Sequence, residues 1–266
     1  MVGFGVVRFM NRPKISIITP TYNASATIER VLSSVANQSY EQIEHLIIDG
    51  CSTDDTLAIV DGYRQKCPHI RVVSEKDAGI YDAMNKGIDL CSGDWIYFLG
   101  SDDLLFSDTI FGELNDEGHL STDRVIYGNV LILGDTSWAT DGARYDGPFD
   151  LEKLFRKNIC HQAILYPAAV MHKVGYFNKK YFIAADWEYN IRCAAAGELV
   201  YVDKIIAKFT GGGKSSAGGI DGIGNDIPRI VADCFHLDLN DPSLYADNSP
   251  FRGVVQRLRR RWLAWT

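Results

Sequence analysis

Two acidic residues, Asp102 and Asp103, close the apolar run Trp95-Ile-Tyr-Phe-Leu-Gly-Ser-Asp102-Asp103. Trp95 to Leu99 reads as a short buried strand, and the Gly-Ser step after it as a turn. Adjacent carboxylates at a strand end make a hard-oxygen site suited to Mg²⁺ or Mn²⁺ carrying a substrate diphosphate. The plain alternative is that Asp102 caps the next helix and Asp103 follows it into solvent. Three other apolar runs end in polar groups: the first in Pro20-Thr21-Tyr22-Asn23, the second in Asp49, and the third ahead of Asp77-Ala-Gly79. Asp49 could accept a hydrogen bond from a base imide, and Tyr22 could offer an aromatic face. One strand-end Asp is ordinary; four aligned ends are what a bound nucleotide requires of an open α/β sheet. No G-x-G-x-x-G follows a strand and no G-x-x-x-x-G-K-[ST] occurs, while Gly3 and Gly5 precede the first strand.

The elements that must hold these groups alternate. Lys14 to Thr19, Ile43 to Ile48, Ile70 to Ser74 and Trp95 to Leu99 read as strands. Between them, Ile28, Val31, Leu32 and Val35 recur at helical spacing. Ser52 to Asp55 supply a cap and first-turn acids for a helix through Leu57, Val60 and Tyr63, and Ile80 to Leu90 forms a third helix. Such alternation with short turns predicts a parallel sheet with helices on both faces. Later elements are expected at Val125–Leu133 (strand or hairpin arm), Leu151–Arg156 (helix), Ala163–Tyr166 (strand), Asp186–Ala196 (helix closed by Gly197) and Leu199–Phe209 (strand). Residues 210–226, rich in Gly and Ser, read as a mobile loop, and Arg229–Leu237 as a helix.

Composition excludes several classes. Of 266 residues, 46% are apolar, which is ample for a core and rules out a disordered chain. The net charge of −7 argues against nucleic-acid binding. Six scattered cysteines without a C-x-x-C pair look like thiols of a reducing compartment, not a disulfide or zinc framework. The first 14 residues make a poor signal peptide and no run is long enough to span a bilayer, so the expected location is cytoplasmic. The segment from Phe251 carries five arginines and no acid. Val254, Val255, Leu258 and Trp262 share a helical face there. That basic amphipathic helix suits peripheral contact with an anionic membrane, or docking on the chain's own acidic surface.

The ordered segments Ile17–Asn23, Ile47–Thr56, Asp77–Ile88 and Gly93–Asp103 resemble the second family of glycosyltransferases, inverting enzymes of the GT-A fold that use nucleotide sugars. The stretch Tyr81-Asp-Ala-Met-Asn-Lys-Gly87 resembles most the bacterial branch that builds colanic acid, O-antigen and other exopolysaccharides. The resemblance implies a GT-A, Rossmann-like, mostly parallel sheet over residues 14–210, with a nucleotide-sugar half (14–105) and an acceptor half (106–210). An extension (1–13), a flexible loop (211–228) and a C-terminal segment (229–266) flank it. It implies that Pro20, Thr21, Tyr22, Asp49, Asp77 and Ser101 line the donor, with Asp102 at the ribose and diphosphate. Asp102 and Asp103 would hold Mn²⁺ or Mg²⁺. Asp186 falls on the position of the catalytic base, and also reads as a helix N-cap. Glu188 is the second candidate base, or orients the acceptor or pairs with Arg192. His161, in Cys160-His-Gln162, would touch the donor diphosphate or the acceptor, or be simply a hydrogen-bonded histidine. Two departures stand out: Gly100 occupies a position that is often a third acid, and Met84 one that is often an Arg reaching the nucleotide. Lys86 or Lys214 could take over that last contact.

The expected activity is metal-dependent transfer of a hexose or N-acetylhexosamine, with UDP as the expected nucleotide, to a glycan or polyprenyl-diphosphate-linked acceptor, with homo-oligomerisation left open. The alternatives are a non-catalytic nucleotide-sugar-binding protein and a sugar nucleotidyltransferase. The second would want a Gly-rich basic loop after the first strand, which Pro20-Thr-Tyr-Asn23 does not supply.

Overall fold

The computed structural model describes residues 12–197, 199–212 and 222–263, with side chains through residue 258. Its first half follows the alternation: β1 (Ile15–Thr21), α1 (Ile28–Ala36), β2 (Ile43–Asp49), α2 (Thr56–Arg64), β3 (Ile70–Ser74), α3 (Ile80–Leu90) and β4 (Trp95–Phe98). All three strand pairs in this half are parallel, in the order β3-β2-β1-β4. Successive side chains of β1 go to opposite faces, as a pleated strand requires. Ile15 and Ile17 enter a core with Ile28, Val31, Leu32 and Val35 of α1. Ile18 enters a second core with Tyr81, Met84 and Ile88 of α3. Helices therefore cover both faces.

β1 does not stop at Pro20. It runs on to pair Pro20 with Ile48 and Thr21 with Asp49. Neighbouring β4 ends at Phe98, opposite Ile18. Thr21 directs its carbonyl toward the β2 side, to Gly50 N. By alternation Pro20 faces past the end of β4, where its missing N–H costs no ladder bond.

The second half is not a continuation of the parallel sheet. It comprises β5 (Leu104–Leu105), α4 (Ile110–Asp116), β6 (Val125–Leu133), β7 (Arg144–Tyr145), α5 (Leu151–Leu154), β8 (Ile164–Pro167), α6 (Ala168–Val174), α7 (Ala185–Ala196), β9 (Leu199–Thr210), α8 (Ile223–Cys234) and α9 (Arg252–Leu263). The sheet continues β4-β8-β6-β9-β5, with β7 on β6, and only β6–β9 is parallel there. The whole is a mixed α/β sheet in which the parallel character belongs to the first half. α8 begins at Ile223, inside the stretch expected to be loop, and encloses Pro228. Ile223, Ile227 and Val231 give it an apolar face on the α3 side of the sheet. Val254 of α9 is buried in that core, Leu258 packs against it, and Phe251 lies 5.2 Å from the ring of Phe235. The described part of the C-terminal helix thus docks on the protein. No described helix is long and apolar enough to cross a membrane.

Candidate active site

Asp102 and Asp103 follow the turn at the end of β4 and lead into β5, so neither caps a helix. Asp103 is buried. Its Oδ1 accepts from Thr210 N at 2.8 Å and its Oδ2 from Gln162 Nε2 at 2.5 Å. Burial, and then the neighbouring Asp102 charge, push its carboxyl up to about 7. Burial also raises Asp102, partly offset by a backbone hydrogen bond and by the charges of His161 and Arg30. A buried acid beside a half-buried one, with too little compensating charge, is suited to a cation. Gly100 marks where they meet, since a Cβ there would lie 2.5 Å from Asp103 Oδ2 and 3.0 Å from Asp102 Oδ1. Among the described residues no cluster of three or more potential ligands occurs. Two carboxylates completed by phosphate and water are what Mg²⁺-type sites use, so the donor set fits such an ion.

Asp186 lies in the first turn of α7, whose N-cap is Ala184. The expectation that it caps the helix is therefore corrected: its side chain turns inward. Oδ1 accepts from the Tyr81 hydroxyl at 2.9 Å and Oδ2 from Asn158 Nδ2 at 2.7 Å. Asn158 is itself held by Asn190, whose amide oxygen accepts from Tyr166. His161 Nδ1 stands 3.5 Å from Asp186 Oδ2, and the same side chain acts electrostatically on Asp102 and Asp103. The two acidic centres thus converge on one histidine.

Other expected residues divide. Tyr22 is 63% exposed at the end of β1, and a Cβ on Gly50 would meet Asp77 Oδ2 at 2.5 Å and the Tyr22 ring at 3.4 Å. Tyr22 and Asp77 therefore flank one spot, beside buried Pro20 and Thr21. Ser101 lies in the turn before Asp102, its carbonyl accepting from Thr27. Asp49 does not reach the site surface. Fully buried, it accepts from Ser52 N, Ser52 Oγ and Ser74 Oγ, and so braces the β2 turn. Lys86 is committed to Glu75 at 2.9 Å and to the Lys76 carbonyl. Glu188 is gripped by Arg192 through both oxygens, at 2.9 and 2.8 Å, while the same guanidinium holds the Val174 and Tyr176 carbonyls. That geometry makes Glu188 a brace. Lys214 lies outside the described residues. Trp187 is core, donating to the Leu154 carbonyl.

Sequence reasoning assigns no role to Tyr81, Asn158, Gln162, Thr210 or Arg30, although Tyr81 opens the motif that ends at Gly87 and Gln162 pairs with His161 in the resemblance. A shallow depression next to the site is lined by Gly79, Ile80, Tyr81, Lys179, Tyr181 and Phe182, with Ile80 and Phe182 exposed.

The profile "Glycosyl transferase family 2" matches residues 16–161. A PGL/p-HBAD biosynthesis glycosyltransferase of Mycobacterium tuberculosis is 37% identical over 205 residues, covering 75% of this chain and 78% of that protein. Chondroitin synthase of Escherichia coli is 32% identical over 195 residues, 73% of this chain but only 28% of that longer protein. Among solved structures, S. aureus TarS 1–349 in complex with UDP-GlcNAc superposes with a TM-score of 0.68 at 20% identity, over 93% of this chain and 71% of that one. A mannosyltransferase from Pyrobaculum calidifontis, in complex with GDP-Man and Mn²⁺, gives 0.60 at 16% identity over 93% and 69%. The chain spans 42% of a longer TarS chain.

Proposed function

The chain belongs to glycosyl transferase family 2 and is a glycosyltransferase; from that premise we propose that it inverts the anomeric centre of a nucleoside-diphosphate sugar, with Asp186 as base. The observation that carries this reading is the convergence of three largely buried carboxylates, Asp102, Asp103 and Asp186, on His161. Burying carboxylates around one histidine is costly, and chemistry done there accounts for the placement of Asp102 and Asp103 after β4 and of Asp186 in the first turn of α7.

The donor lies along the carboxyl ends of β1 to β4. Tyr22 and Asp77 flank the nucleoside, backed by Pro20 and Thr21, and Ser101 and Asp102 lie nearer the diphosphate. Asp102 and Asp103 hold Mn²⁺ or Mg²⁺, which when bound supplies the positive charge that neutralises the departing diphosphate. Asp186 accepts the acceptor's hydroxyl proton as that oxygen attacks. Tyr81 and Asn158 hold its carboxylate still for that transfer. His161 bridges the two centres and contacts the diphosphate side. The UDP-GlcNAc complex of TarS supports a UDP-hexose or UDP-N-acetylhexosamine donor. The acceptor is a saccharide of the bacterial cell surface, lipid-linked and met at the cytoplasmic membrane face. Relatives named for PGL/p-HBAD biosynthesis support a wider acceptor class than colanic acid or O-antigen. The exposed Ile80 and Phe182 suit an acceptor with an apolar part.

The test is nucleoside-diphosphate release from a panel of UDP- and GDP-sugars. Release should require Mn²⁺ or Mg²⁺, stop with chelator, and fall about 100-fold or more in Asp103→Asn without a change in fold. Nucleoside triphosphate formed from the same donors on addition of pyrophosphate would indicate a nucleotidyltransferase, and tight donor binding without turnover a binding protein. Full activity in chelator would refute the metal assignment.

A further inference from the structure

Between the two acidic centres runs one short 3-10 turn, His161–Ala163, entered through Cys160. Gln162 in this turn is 3% exposed, and both polar atoms of its side chain and its carbonyl oxygen are engaged. Nε2 donates to Asp103 Oδ2 at 2.5 Å, Oε1 accepts from Cys160 Sγ at 2.8 Å, and the backbone carbonyl accepts from the Tyr97 hydroxyl at 2.7 Å. The Cys160 thiol donates to Oε1, which fixes that end of the amide as the oxygen and leaves the NH₂ to face Asp103. Cys160 is thereby the group that selects the amide orientation. Its thiol is held far above its ordinary pKa by burial, then by Asp103, and so keeps its proton to donate.

We propose that Gln162, locked by Cys160, is the positioning residue that fixes Asp103 for a divalent ion. A lysine or arginine here would also orient the carboxylate, but would cancel the charge a cation must find. A neutral amide orients it and leaves the charge in place. Thr210 N does the same for the other oxygen, at 2.8 Å. With both oxygens held, Asp103 cannot swing away from Asp102, and the two carboxylates stay together over Gly100. Because His161 precedes Gln162 directly and lies 3.5 Å from Asp186, the same turn sets the metal carboxylate and the base in one register. The inference rests on the reading that Asp102 and Asp103 hold the ion.

Mn²⁺ binding to the full chain in the presence of UDP, followed by electron paramagnetic resonance or calorimetry, tests it. Gln162→Leu should weaken Mn²⁺ about tenfold or more, in line with the usual effect of losing a residue that orients a metal ligand. Donor turnover should fall at low Mn²⁺ and recover at saturating Mn²⁺. Should Gln162→Leu fail to fold, Cys160 decides the matter: Cys160→Ala should weaken Mn²⁺ several-fold, and Cys160→Ser, whose hydroxyl can still donate to the amide oxygen, should restore it. Wild-type Mn²⁺ affinity in both Gln162→Leu and Cys160→Ala would overturn the positioning role while leaving the metal site intact. Failure of the unsubstituted protein to bind Mn²⁺ with UDP would overturn the metal assignment, and this inference with it.

Discussion

Asp186→Asn separates the chemistry of the base from its place in the fold, because the surroundings of Asp186 accommodate an amide. Oδ2 accepts from Asn158 Nδ2 at 2.7 Å, so the oxygen of the substituted amide would settle there. The nitrogen of that amide would then face the Tyr81 hydroxyl, now 2.9 Å from Oδ1. That hydroxyl also lies 2.7 Å from the Ile183 carbonyl. It can direct its single proton to Ile183 and accept from the new NH₂ group. Both hydrogen bonds survive with the same shape, and the basicity is lost together with the charge that faces His161 Nδ1 at 3.5 Å.

The expected result is therefore a turnover loss of about 10² to 10⁴, the range for a general base, or about 3 to 5 kcal/mol of barrier. Donor affinity and melting temperature should stay close to the unsubstituted values. Asp186→Ala should behave differently: it leaves Asn158 Nδ2 without its acceptor in a buried place, at a cost of about 1–3 kcal/mol of stability. Turnover of saturating donor and acceptor, donor calorimetry and thermal melts together read all three quantities. Asp186→Asn with turnover within tenfold of wild type would refute the base assignment. Lost donor binding with an intact fold would move Asp186 into the donor site.

Three further outcomes follow from the same geometry. Gly100→Ala should cut turnover about tenfold or more, since the new Cβ would fall 2.5 Å from an Asp103 oxygen that Gln162 already holds; wild-type release of nucleoside diphosphate would refute this. Glu188→Gln should cost about 1–3 kcal/mol in denaturant melts by breaking the Arg192 grip, and change turnover less than Asp186→Asn does; the reverse order would make Glu188 the base. Glu44 is buried, which raises its pKa, but Ser16 Oγ, Ser92 N and Lys14 outweigh burial and bring it down to about 2. A depressed carboxylate stabilises the fold above its unfolded pKa and loses that contribution as pH falls from about 4.5 toward 2. Glu44→Gln should flatten that part of the acid limb in melts across pH, and an unchanged limb would contradict the assignment.

The parallel half was legible because local pattern and global packing agree there. The four residues Ile28, Val31, Leu32 and Val35 are spaced for one helix face, and all are buried. Beyond residue 104 the strands pair across long sequence distances, β4 with β8 and β6 with β9, and no local periodicity encodes that partner choice. The start of α8 was hidden for a different reason. Gly222, Gly224 and Pro228 depress helix propensity around Ile223, and only the tertiary burial of Ile223, Ile227 and Val231 outweighs it. The tail left two readings open because amphipathicity does not name its partner. Val254 and Val255 are used against the protein itself.

The site shows the same division at the level of charge. Carboxylates after strands are visible in a sequence, which singles out Asp102 and Asp103, while Asp186 is singled out by the family resemblance. Whether a carboxylate is free to act depends on what else hydrogen-bonds it, and those donors come from elsewhere in the chain. Asp49 has the right residue type at a strand end, yet Ser52 and Ser74 take both of its oxygens. Glu188 sits two residues from Asp186, yet Arg192 one turn later claims it. Asp186 is instead oriented by neutral donors, Tyr81 and Asn158, 105 and 28 residues away, with His161 Nδ1 3.5 Å from Oδ2. Neutral donors orient a carboxylate and leave its charge in place, whereas a cation such as Arg192 neutralises it. The roles proposed for these acids rest on that difference in their partners, which residue type and spacing alone do not contain.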